Sequence, residues 1–140
     1  MQRLPVPLVP RWFRLTGVLA VVSAIVYFSL FAGLPSPPGE GPSGLIAALW
    51  DKKLHFAAYA GLGYSLAYAS VEERERGRRR TAAVVLAAVA FGVGIELFQG
   101  LLPTRYFGAY DLLANALGAL LVLPWFGLES RFDFVRLPGR

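Results

Sequence analysis

Four apolar stretches separated by short polar connections set the plan of this chain. The first, Leu15 to Leu34, runs 20 residues without a charge. A helix of that length rises about 30 Å, the thickness of a bilayer's hydrocarbon core. A cleaved leader would carry an apolar stretch of only about 7–15 residues, so a retained span is expected. Residues 35–44 read PSPPGEGPSG, which sustains neither helix nor strand and is expected to form an external loop. A second span is predicted over about 50–71, followed by the polar connection EERERGRRR from Glu72 to Arg80. The third covers 81–102 and is closed by Pro103, and a short loop around Arg105 leads to the fourth, 110–127. The tail, 129–140, is polar and mixed. The pattern therefore predicts an all-α integral membrane fold. One domain over residues 1–140 forms a four-transmembrane-helix bundle, multi-pass in the cell membrane.

Composition agrees. Only 16% of residues are charged and 56% are hydrophobic, whereas soluble domains carry about 25% charged residues. The net charge of +5 does not point to nucleic acid, because the basic residues sit in short runs at the ends of apolar segments. That arrangement is a topology signal: cytoplasmic loops are enriched in Lys and Arg. With both termini and the 72–80 connection cytoplasmic, that side holds 11 of the 14 basic residues, and Lys52, Lys53 and Arg105 face outward. Both termini are thus expected inside. There are no cysteines, which excludes disulfides and thiolate metal sites.

Against this apolar background the polar exceptions stand out. Asp51 and His55 lie four residues apart at the start of the second span, with Tyr59 one turn on, so all three share a helix face. Glu96 and Gln99 close the third span. Asp111 and Asn115, again four apart, open the fourth, with Gly118 on the same stripe. Alternating span direction carries all three groups to the outer face, and nothing comparable is expected at the cytoplasmic ends. Glu96, seven residues before Pro103, should lie about 10 Å deep. A carboxylate there costs several kcal/mol unless protonated or paired, and His55, Arg105 or a lysine are the expected partners. Each residue also has a plainer reading. His55 can be a satisfied interface histidine, Lys52 and Lys53 interfacial anchors, and Trp12, Trp50 and Trp125 belt residues. Gly92, Gly94 and Gly118 can serve close packing, and Gln99 and Asn115 interhelical hydrogen bonds. The plain readings leave the shared depth unexplained. One histidine and no cysteine argue against zinc. A hard cation could use Asp51, Glu96 and Asp111, but the spacing does not require it, and no metal or other cofactor is expected. No nucleophile elbow or phosphate-cradling glycine loop is present.

The run Asp51-Lys52-Lys53-Leu54-His55-Phe56 with Tyr59 resembles the first motif of VanZ-like membrane proteins. Glu96-Leu97-Phe98-Gln99, then Pro103, Arg105, Asp111, Asn115 and Gly118, resembles the second. The resemblance spans residues 51–118 and implies a four-span bundle. The founding member of the family is associated with low-level teicoplanin resistance, and no settled biochemical activity comes with it. Gly108 stands where a hydroxyl residue is common, and Val122 where a further glycine is, which bears on hydrogen bonding near Asp111 and on packing of the fourth span. Two functions fit the residues. In one, His55 and Glu96, with Asp51 and Asp111, are acid/base groups of an envelope-facing enzyme, while Lys52 and Arg105 hold an anionic group and Gln99, Asn115 and Tyr59 line the site. In the other, the same pocket binds an amphiphilic lipid, glycan or glycopeptide without catalysis. A small transporter would require charges deeper in the cytoplasmic half. The expected partners are membrane lipids and an anionic lipid or envelope precursor.

Overall fold

The computed structural model describes residues 3–32, 44–72, 77–103 and 105–136. Most of the expected loop at 35–44, together with Arg74, Arg76 and Arg140, lies outside them. The elements in order are β1 (Leu4–Leu8), α1 (Arg11–Val26, continued by a π-helical turn over Tyr27–Ala32), α2 (Gly44–Ala69), α3 (Arg78–Gln99), α4 (Ala109–Leu120), α5 (Leu123–Glu129) and β2 (Phe132–Arg136). Three stretches are long and apolar enough to cross a membrane: Arg11–Ala32, Arg78–Gln99 and Ala109–Glu129. The further helix, α2, has 26 residues.

The helices start and stop somewhat differently from the pattern. α3 opens at Arg78 rather than at 81, because its arginines are good helix formers. The fourth span is broken at Leu121 and Val122. Pro124 has no amide to return to the carbonyl of Leu120, so the turn tightens, with Leu121 N donating to Gly118 O and Val122 N to Ala119 O. The widened turn at the end of α1 leaves the Ser29 carbonyl free to accept from Gln99 Nε2 at 2.9 Å.

The fold is not wholly α. The tail expected to be merely polar forms β2, which pairs in parallel with β1, Leu4 opposite Phe132 and Leu8 opposite Arg136. β1 reads LPVPL. Leu4 N donates to Arg131 O at 3.0 Å, which turns the Val6 and Leu8 amides the same way. Pro5 and Pro7 then lie on the outer edge, where a missing donor costs no ladder bond and a further strand is blocked.

Packing is tightest between α2 and α4. A Cβ added at Gly118 would overlap the Phe56 carbonyl, so the two backbones touch there. A Cβ at Gly92 would come 2.9 Å from the Tyr59 ring and 3.3 Å from Asn115 Cβ, so this glycine makes room for both. Gly94 by contrast has open space beside it among the described residues. Val122 is fully buried against the glycine face at Gly63, where an added Cβ would lie 3.3 Å from it, so the larger residue is accommodated from across the interface. The main core cluster joins Ile25, Tyr59, Leu62, Ala88, Ile95 and Ala119, contributed by all four long helices.

One expectation is overturned at the strand end of the bundle, where buried charge was not foreseen. Arg14 is 4% exposed and Arg80 8%. Arg14 donates to the carbonyls of Val9, Tyr68 and Ala69, each at 3.1 Å, and pairs with Glu72. Arg80 is bidentate to Glu129 at 2.8 Å and reaches Ala67 O at 2.5 Å and Ser70 Oγ at 3.0 Å. Both guanidinium groups thus satisfy the carbonyls orphaned at the C-terminus of α2, where the helix dipole favours a cation. Arg136 Nε adds a 2.5 Å bond to Glu72 Oε1, tying β2 to the same point.

Candidate functional site

At the opposite end of the bundle the polar residues of three helices meet. Helical spacing puts Asp51 and His55 on one face of α2. Asp111 sits in the first turn of α4, whose N-terminal dipole favours a carboxylate. The Gly118–Phe56 contact fixes the register between these two helices one residue from His55.

A cavity of ≈ 270 Å³ opens here, walled by Asp51, His55, Gln99, Arg105, Tyr106 and Asp111, with Phe28 and Ser29 from the π-helical turn. Lys52 Nζ bonds Asp51 Oδ2 at 2.7 Å and also pairs with Asp111 Oδ1. His55 Nε2 lies 3.8 Å from Asp51 Oδ1 and 3.9 Å from Asp111 Oδ1. The space beside Gly108 is filled by the Asp111 carboxylate, so a hydroxyl residue there would displace it.

Behind His55 lies a second layer. Asn115 is fully buried and joins two groups: its Oδ1 is 2.9 Å from His55 Nδ1, and its Nδ2 donates to Glu96 Oε1 at 3.3 Å. Glu96, also fully buried, accepts at Oε2 from the Gly108 amide at 3.2 Å. With donors on both carboxylate oxygens, Glu96 holds the Asn115 amide with its oxygen toward His55, so Nδ1 of the imidazole carries the proton. His55 Nδ1 and Glu96 Oε1 are 3.8 Å apart.

The residues singled out in the sequence therefore divide into two sets. Asp51, Lys52, His55 and Asp111 converge, with Arg105 and Gln99 on the same cavity wall. Glu96, for which His55, Arg105 or a lysine was the expected partner, lies 3.8 Å from His55 Nδ1 and accepts from the Asn115 amide and the Gly108 N–H. Asn115 and Tyr59 lie behind the cavity, and the Tyr59 hydroxyl is buried without a hydrogen-bond partner among the described residues. Lys53 is exposed, away from the cluster. Gln99 spends its amide on the Ser29 carbonyl. The contributions of Phe28 and Ser29 were not legible, because a π-helical turn leaves no residue signature in an apolar run. A larger cavity, ≈ 740 Å³, lies at the strand end. Two of its lining charges, Arg80 and Arg136, are already engaged with Glu129 and Glu72.

A family model described as VanZ/LLP1 matches residues 13–126. No curated protein and no solved structure matches the chain.

Proposed function

This chain belongs to the VanZ/LLP1 family, and on that premise we propose that it is a four-span protein of the cell membrane whose outward cleft takes an anionic amphiphile of the envelope. Parity supports the fourth span. β1 precedes the first helix and β2 follows the last, and the two are hydrogen-bonded, so the chain between them crosses an even number of times. With three apolar helices long enough, α2 supplies the remaining crossing. Its residues 54–71 contain no Lys, Arg, Asp or Glu. The excess of basic residues at the strand end favours placing that end, with both termini, in the cytoplasm.

The observation that carries the functional reading is the cavity in which Arg105 shares a wall with His55 and two carboxylates at the outer ends of three spans. A guanidinium at the rim suits a phosphate or carboxylate head group, while the apolar helix faces accommodate acyl or prenyl chains. The family's association with glycopeptide resistance supports a reading in which such a ligand is an envelope lipid or precursor. His55 beside Asp51 and Asp111 is equipped for proton transfer. A non-catalytic binding or accessory role uses the same cavity. The test is native mass spectrometry of the purified protein in nanodiscs with envelope lipid extract. An anionic lipid should be retained by the wild type and lost in Arg105→Gln. Equal retention by both would refute the reading, and conversion of the retained species would assign catalysis.

A further inference from the structure

We propose that Asp51, His55 and Asp111 form a binding site for a divalent metal ion of the Mn²⁺ or Zn²⁺ class. The inference stands on the geometry of these three side chains and does not depend on what the cleft binds. One donor atom from each residue lies within 4.8 Å of the other two. Asp51 and His55 are an i, i+4 pair on one helix, the spacing by which a helix presents two ligands to a single ion. Asp111 comes from the neighbouring helix, and the Gly118–Phe56 contact holds the two helices in register.

The second observation is the state of the imidazole. His55 has 8% of its side chain exposed, and its Nδ1 is engaged by the Asn115 oxygen. With Nδ1 taken by Asn115, Nε2 points into the gap between two carboxylates, 3.8 and 3.9 Å away. Those distances are too long for hydrogen bonds, so Nε2 faces the two carboxylates without one. Asn115 supplies what metal-bound histidines use, a partner for the far ring nitrogen that fixes tautomer and orientation. A tetrahedral ion with bonds of about 2.1 Å sets its ligands about 3.4 Å apart, so the two histidine–carboxylate distances need close by only a few tenths of an ångström, while the two carboxylates lie within 4.8 Å of each other. Mixed imidazole and carboxylate donors favour first-row ions over Mg²⁺ or Ca²⁺. Three protein ligands leave coordination positions open toward the cavity, as at catalytic rather than structural sites. Lys52 Nζ bridges Asp51 and Asp111 in the structure. Its ammonium is the competing cation, and it must swing aside when the ion binds.

That competition gives the test its signature. Protein in nanodiscs, stripped with chelator, is titrated with Zn²⁺ by calorimetry and with Mn²⁺ by electron paramagnetic resonance. One ion per chain should bind the wild type, with affinity reduced at least tenfold in Asp111→Asn and in His55→Gln. Because buried His55→Gln could disturb folding, the more exposed Asp51→Asn is measured beside it and should show the same loss. Lys52→Gln, which removes the competitor and no ligand, should bind as tightly as the wild type or more tightly. The proposal is overturned if the wild type binds no stoichiometric ion. It is equally overturned if binding survives Asp51→Asn and Asp111→Asn unchanged, or if Lys52→Gln abolishes it.

Discussion

Replacing Glu96 by Gln changes one atom's chemistry and almost no volume, yet the geometry predicts an effect two residues away. Glu96 accepts from the Gly108 amide at one oxygen and from Asn115 Nδ2 at the other. A glutamine can keep only one acceptor, and the backbone amide cannot turn. Its new NH₂ group therefore faces Asn115, and the Asn115 amide must flip. The flip presents Nδ2 to His55 Nδ1, which must then become the acceptor, so the imidazole proton moves to Nε2. Exchanging two charge-assisted hydrogen bonds for neutral ones costs about 1 kcal/mol each. Relief from burying the charge offsets part of that, so Glu96→Gln should remain folded within about 2 kcal/mol of the wild type. If the amide did not flip, two buried donors would face each other, adding about 1–3 kcal/mol. His55 is the chain's one histidine, so ¹⁵N-histidine labelling reads its tautomer without assignment. The wild type should show the Nδ1–H form and Glu96→Gln the Nε2–H form. A wild-type ring without a proton on Nδ1, or an unchanged tautomer in Glu96→Gln at full stability, would refute the chain of contacts.

Two further outcomes can be checked. For orientation, cysteine at Gly41 should react with an impermeant reagent on intact cells and cysteine at Ser130 should not; the reverse pattern would put the cavity on the cytoplasmic side. Ser130 is the better inner probe, since Gly77 adopts φ 66°, which disfavours any side chain. For pH, hydrogen bonding from Arg136, followed by that from Arg14, holds the Glu72 carboxyl below its ordinary value. A depressed carboxylate stabilises the folded state above its unfolded pKa of about 4.3 and loses that contribution as the pH falls through the folded value. The melting-temperature gap between wild type and Glu72→Gln should accordingly be constant from neutral pH down to about 5 and close below about 4. A gap that does not narrow at all as the pH falls below about 4 would show that Glu72 acts through packing alone.

Much of this molecule could be read from the pattern because a bilayer permits few solutions. Apolar runs of 20 residues and the punctuation by proline and glycine located α1, α3 and α4 to within a few residues; i, i+4 spacing paired Asp51 with His55 and Asp111 with Asn115, and alternating span direction carried both pairs to one face. Three things escaped. The strand pair joins residues about 128 apart in sequence, and no local pattern in LPVPL names its partner. Arg14 and Arg80 looked like topology charges, since the sequence does not say whether a guanidinium turns to water or back to helix carbonyls. The division of the cluster into a cavity layer and a buried layer depends on Asn115 standing between His55 and Glu96. Periodicity placed Asn115 on the right face but could not give its depth relative to its neighbours.

The β1–β2 pairing has a consequence for how the protein is made. β1 leaves the ribosome before α1 and β2 after α5, so the strand waits through the synthesis of every helix between them before its partner exists. Contacts of such high sequence separation form late, after the loop-closure entropy has been met by other interactions. The bundle must therefore assemble first and bring the two ends within reach, and the sheet then acts as a latch on a finished bundle rather than as its nucleus. Until then β1 presents unpaired amides at Leu4, Val6 and Leu8 on its inner edge, and its prolines close the outer edge to stray partners during that interval.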